Sequence, residues 1–176
     1  CRLAGRLAAV APISGATTFD SCEPVATVPM MTIHGTADPI LLFNGGVGDL
    51  VKALSGSLAD VGSAPSSGPS TTTPAPTTTA AVDLDGPGYP ANVAAWAQRN
   101  GCGPTPSDEA VSATVTRRTY DCPAGADVEM YVVEGGGHAW PGSELSRALE
   151  GLVGTTTFDI DATDLVWAFF QRFRRG

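Results

Sequence analysis

Met30 to Ile40 reads M-M-T-I-H-G-T-A-D-P-I. Its first part belongs to an apolar, β-compatible run, Val28 to His34, entered through Pro24 and Pro29 and ended by Gly35. A run almost without polar residues suits a strand buried on both faces of a parallel sheet. In open α/β sheets the reactive groups gather beyond the carboxyl ends of such strands. Gly35 permits a tight turn there, and Asp38 follows where a carboxylate can enter a cleft and orient a histidine. An Asp before Pro also caps turns, and that structural use of Asp38 stands beside the catalytic one.

Working outward, Ala8 to Ile13 is a second short apolar run, closed by Ser14 and Gly15, and reads as a neighbouring buried strand. Asp49 to Leu54 suits a helical turn. Pro90 to Asn100 places Val93, Trp96 and Ala97 on one face, with Pro at its start and Gly101 just past its end, the ordinary start and stop signals of a helix. Val111 to Tyr120 alternates, with Val111, Ala113 and Val115 on one side. Val128 to Val133 is a further strand after a turn at Pro123 to Gly125, so the two predict a β-hairpin. Ala162 to Phe173 carries Leu165, Val166, Phe169 and Phe173 on one stripe, with Asp159 and Asp161 as candidate N-caps and Arg172, Arg174 and Arg175 at its negative end. The sum is an α/β architecture.

The second segment that bears chemistry is Gly135 to Gly142, G-G-G-H-A-W-P-G, directly after the strand Val128 to Val133. Three glycines let the backbone turn sharply and approach another segment closely, which presents His138 on a loop at a strand end. The chain has two histidines. His34, at the end of its own strand, is read as a structural hydrogen-bonding residue.

Composition narrows the function. Ten basic against eighteen acidic residues give a net charge of −8, a poor basis for a nucleic-acid surface. The longest apolar stretches, such as Val166 to Phe170, fall far short of the roughly 20 residues that cross a bilayer, so no membrane partner is expected. No cofactor motif is present. Between about Gly56 and Gly88 the chain turns to Ser, Thr, Pro, Ala and Gly, and the tract Thr71 to Thr79 has too little apolar surface to offset its ordering entropy. This part, 56–88, is expected to be a disordered insertion within one domain. The four cysteines lack a C-x-x-C spacing. Two disulfides, Cys1 with Cys22 and Cys102 with Cys122, are the simplest use of them among the three possible pairings, and would place the protein outside the cytoplasm. Free thiols in a cytosolic protein are the alternative.

A strand ending in H-G-x-x-D, followed much later by G-G-G-H-x-W-P-G, resembles the extracellular polyhydroxybutyrate depolymerase and feruloyl esterase group of α/β-hydrolases, which includes acetylxylan-type esterases. Leu7 to Gly15, L-A-A-V-A-P-I-S-G, is similar to the strand after that group's nucleophile helix. Val93 to Cys102 is similar to its helix before the hairpin, and Phe158 to Phe170 to its last helix. The resemblance implies that residues 1–176 are the C-terminal part of one α/β-hydrolase sheet, with Asp38 as triad acid and His138 as general base of a secreted serine esterase. The substrate would be a carboxylic ester, polymeric in some members. The group's chain order is Ser, Asp, His, which puts the serine upstream. No serine here lies in G-x-S-x-G: Ser14 is in I-S-G-A, Ser55 and Ser57 in L-S-G-S, and Ser143 in G-S-E-L. The resemblance therefore implies that the nucleophile elbow and the oxyanion hole lie outside these residues, roughly a helix length before Cys1, and that this chain alone is inactive. It also places Trp140 beside the acyl or polymer chain, although a Trp there can equally pack its loop onto the sheet. Asn44, Gly45 and Gly46 are weaker candidates for a turn near substrate.

Two other readings compete. One is a non-catalytic secreted module that binds polysaccharide or polyester through Trp140 and neighbouring aromatics, which requires a self-sufficient β-sandwich. The other treats His34, Asp38 and His138 as metal ligands, but no H-E-x-x-H or comparable close pair supports it.

Overall fold

The computed structural model describes residues 3–15, 26–49, 51–53, 55 and 82–174. Cys1, Cys22, Arg175 and the Thr/Pro tract lie outside these residues.

Four strands form one mixed sheet: β1 Met30–Gly35, β2 Ser107–Ala110, β3 Val115–Thr119 and β4 Val128–Val133. Their order is β1-β4-β3-β2, with β1 and β4 parallel and the other pairs antiparallel. On the free side of β1 the segment from Ala8 runs parallel to it, joined by bridges Val10 to Met30 and Ile13 to Ile33. The strand expected at Ala8 to Ile13 is thus broken into two contacts. Pro12 has no N–H to give the ladder, while its carbonyl accepts from the Ile33 amide at 3.4 Å and the Thr32 hydroxyl at 2.8 Å.

β1 and β4 are buried at every position, and the two faces of the sheet explain why. Met30, Val128, Met130 and Val132 pack under Tyr89, Val93 and Ala97 of α1, Tyr89–Arg99. Met31, Ile33, Tyr131 and Val133 pack under Ala162 and Phe169 of the last helix, Ala162–Phe170. With helices on both faces, the central strands have no solvent side on which to carry polar residues. The observed architecture is therefore mixed α/β, a sheet between helices, and the sandwich required by the binding-module reading is not formed. α1 ends at Arg99, as Gly101 predicts, and Asn100 anchors it by donating to the carbonyls of Val28 and Ala126 at 2.9 Å each.

The hairpin differs from expectation. β3 and β4 do pair antiparallel, across the turn in which Ala126 N–H donates to the Pro123 carbonyl at 3.0 Å. Residues 111–114, expected as strand, form instead a tight connection between β2 and β3, with Val111 N–H donating to Val115 at 2.8 Å. Ser112 and Thr114 turn their hydroxyls to Asp159, at 2.6 and 2.8 Å. β2 itself, S-D-E-A, has no apolar alternation to betray it. It pairs because Asp108 and Glu109 stand opposite Arg118 and Arg117, and opposite charges across a ladder favour its register.

Two short helices, α2 Glu144–Ala148 and α3 Glu150–Val153, precede α4, Ala162–Phe170. Of the two N-cap candidates Asp161 serves, accepting from Thr163 and Asp164 amides at 2.8 and 3.0 Å. The described helical residues at 49, 51–53 and 55 match the expected turn after Gly48. Cys102 and Cys122 form a disulfide that ties the exit of α1 to the β3–β4 connection. At the far end of the expected insertion, Leu84 touches the α1-side core and its carbonyl accepts from Arg118.

Candidate active site

The parallel pairing of β1 with β4 carries both reactive loops to the same end of the sheet, Gly35 opposite Val133. Beyond those residues the two loops are stitched together. Thr36 N–H donates to the Val133 carbonyl and Ala37 N–H to that of Gly136, each at 2.9 Å, while Gly135 N–H donates to the Thr36 hydroxyl at 2.8 Å. Such an approach leaves no room for side chains. A Cβ at Gly35 would stand 2.1 Å from the Gly136 carbonyl oxygen, and one at Gly137 would stand 2.2 Å from that of Val153. Gly35 and Gly137 are thus required by backbone contact, whereas Gly135 is favoured by its positive φ of 68°.

His138 and Asp38 meet across this seam. His138 Nδ1 lies 2.9 Å from Asp38 Oδ2, between residues 100 apart in the chain. A second strip of backbone holds the histidine loop from outside, as Gly137 and His138 donate to the carbonyls of Thr155 and Val153 at 2.8 and 2.6 Å. The other carboxylate oxygen, Oδ1, accepts from the amides of Ile40 and Leu41 at 2.8 Å each. Asp38 therefore performs the turn-capping role open to an Asp before Pro through Oδ1, and meets His138 through Oδ2.

Burial would raise the Asp38 pKa, since its side chain is fully enclosed. The hydrogen bonds from His34, Ile40, Leu41 and His138 outweigh that cost and hold it below the ordinary aspartate value. A carboxylate can only accept, so His138 Nδ1 carries the proton between them. The His138 side chain is 30% exposed, against 0% for Asp38, so the ring is open to a reactant and the acid is not. This is the arrangement of an imidazole base oriented by a buried carboxylate.

His34 is brought to the same carboxylate. Its Nε2 donates to the Leu41 carbonyl at 2.9 Å and stands 3.2 Å from Asp38 Oδ2. The expected hydrogen-bonding role is observed, and the contact with Asp38 is an addition that sequence reasoning missed. The metal reading meets an obstacle here, because the ring nitrogens that face Asp38 must carry protons to bond with it. Among the described residues no group of three His, Cys, Asp or Glu is placed to hold an ion.

Trp140 lies two residues past His138 and is 41% exposed. Its indole N–H donates to the Thr163 hydroxyl at 3.1 Å and its backbone N–H to Ser146 Oγ at 3.0 Å. The loop-packing use of this Trp is therefore present, with one part of the ring still accessible. Asn44 bonds the Asp83 and Pro87 carbonyls at 2.7 and 3.3 Å. It fastens 82–88 to the acid loop and does not contact His138. Among the described residues no serine hydroxyl is hydrogen-bonded to His138, and no helix is long and apolar enough to cross a membrane. No protein-family model, curated protein sequence or solved structure matches the chain.

Proposed function

We propose that Asp38 and His138 are the acid and base of a Ser-His-Asp carboxylic ester hydrolase of the α/β-hydrolase type, whose serine and oxyanion hole come from outside these residues. The observation that carries this reading is the 2.9 Å bond between His138 Nδ1 and a fully enclosed Asp38. It is made at the carboxyl ends of adjacent parallel strands, where sheets of this class place their chemistry.

In the proposed reaction His138 Nε2 takes the hydroxyl proton as the serine oxygen attacks the ester carbonyl. Asp38 holds the ring in its Nδ1–H form and stabilises the imidazolium. The tetrahedral intermediate collapses when His138 returns that proton to the leaving alcohol, which leaves an acyl-serine. Water, deprotonated by the same nitrogen, then releases the acid and restores the serine. The exposed part of Trp140 would lie along an apolar acyl or polymer chain. The Cys102–Cys122 disulfide supports action outside the cytoplasm.

The test uses the protein that carries this chain together with its serine. A fluorophosphonate probe and a p-nitrophenyl ester should label and be turned over by the wild type, and neither should react with His138→Ala. Equal labelling and turnover by the variant would remove the assignment.

A further inference from the structure

His34 is a buried titratable group beside Asp38 that the proposed reaction leaves unused. It is 1% exposed, and its surroundings are unusual for a histidine kept only to fill space. Nδ1 has no hydrogen-bond partner in the interior, and an unmet buried acceptor is a cost that an apolar side chain would avoid. The opposite nitrogen is fully used. Nε2 faces only acceptors, the Leu41 carbonyl and Asp38 Oδ2, so it carries the ring proton.

We propose that His34 is a positioning residue for Asp38: its Nε2–H, shared between the Leu41 carbonyl and Asp38 Oδ2, pins the acid loop so that Oδ2 holds His138 in one tautomer. The loop from 38 to 41 closes on itself through this contact. The Ile40 and Leu41 amides point at Oδ1, and His34 ties the Leu41 carbonyl back to the strand. One carboxylate thus orders both histidines of the chain, His34 as the Nε2–H form and His138 as the Nδ1–H form. Neighbouring rings keep His34 from turning over, with the Tyr89 and Phe43 centroids 3.9 and 5.7 Å from its own.

The titratable groups that face His34 are Asp38 from the loop after β1, Tyr89 from α1 and, across Oδ2, His138 from the loop after β4. Tyr89 is not a proton partner. Its burial holds the phenol far above its usual pKa, and the hydroxyl is engaged with Thr32. Asp38 and His138 are therefore the groups through which His34 acts.

The proposal rests on Asp38 being the triad acid, but its test reads tautomers and not turnover, so the two can fail separately. Histidine-labelled protein examined by long-range 1H–15N correlation gives two ring patterns, assigned with His138→Ala. The wild type should show opposite tautomers, Nε2–H at His34 and Nδ1–H at His138. His34→Gln places an amide N–H near the former Nε2 and should leave the His138 pattern and the Asp38 titration unchanged. His34→Asn, equally polar but too short to reach, should let His138 sample the other tautomer and move the Asp38 titration to higher pH. An Nδ1–H form at His34 in the wild type overturns the proposal without any variant. So does His138 locked in its wild-type form in His34→Asn, or loss of that form in His34→Gln. Should His34→Asn not fold, the wild-type tautomers and the His34→Gln variant still decide.

Discussion

Gly35 lies so close to Gly136 that a Cβ at position 35 would stand 2.1 Å from the Gly136 carbonyl oxygen. This contact is what allows the acid loop and the base loop to share a seam. Gly35→Ala must part them, at a cost of about 1–3 kcal/mol typical of overpacking. A lower urea midpoint, together with loss of the His138 Nδ1–H signal, is the expected outcome. An unchanged midpoint would mean that the seam is looser than its geometry.

The two histidines should differ in reactivity. The His138 side chain is 30% exposed, whereas the His34 side chain is 1% exposed. Diethyl pyrocarbonate at neutral pH should therefore modify His138 alone in the folded chain, and both residues in denaturant. Peptide mass mapping reads the result, and equal modification of His34 in the native state would contradict the burial.

Much of this arrangement was legible before any coordinates. β1, β4 and α1 stand within two residues of the runs that announce them, because strands buried on both faces cannot hide their apolar composition. The G-G-G-H and H-G-x-x-D stretches also met as expected, since closely packed backbones demand glycine. β2 was not legible: S-D-E-A looks like surface loop, and it is a strand only because Arg117 and Arg118 lie across from it. The alternation at 111–114 misled for the opposite reason, as Ser112 and Thr114 were committed to Asp159 and not to a ladder. α2 and α3 bury none of their residues, so no amphipathic stripe marked them. The contact of His34 with Asp38 Oδ2 arises from a turn folding back on its own strand, which no periodicity records.

Asp38 should leave a mark on acid stability. Its pKa in the folded protein lies below the ordinary value, so the unfolded chain binds the proton more readily as pH falls. Its contribution is complete above the unfolded value near pH 4 and is lost as pH drops through the lower, folded one. Urea midpoints measured on descending pH should fall less steeply below about pH 4 for Asp38→Asn than for the wild type. Parallel curves would show that Asp38 keeps an ordinary affinity for its proton.

The Cys102–Cys122 bridge spans a sequence separation of 20. Constraint of a loop of that size in the unfolded chain is worth about 3 kcal/mol. Cys102→Ser with Cys122→Ser should lower stability by roughly that amount while the His138 tautomer persists, because the bridge lies at the opposite end of β4 from the site. Denaturant titration and the histidine spectrum separate the two effects, and loss of the tautomer would show that the site depends on the bridge.

The proposal that Asp38 orients His138 in an ester hydrolase whose serine lies outside these residues is tested most directly by steady-state ester hydrolysis, wild type against Asp38→Asn, in a protein that pairs this chain with such a serine. A fall in kcat of about 10⁴-fold with KM little changed is predicted, since the amide would hold the imidazole in the wrong tautomer. Turnover by Asp38→Asn close to that of the wild type would contradict it.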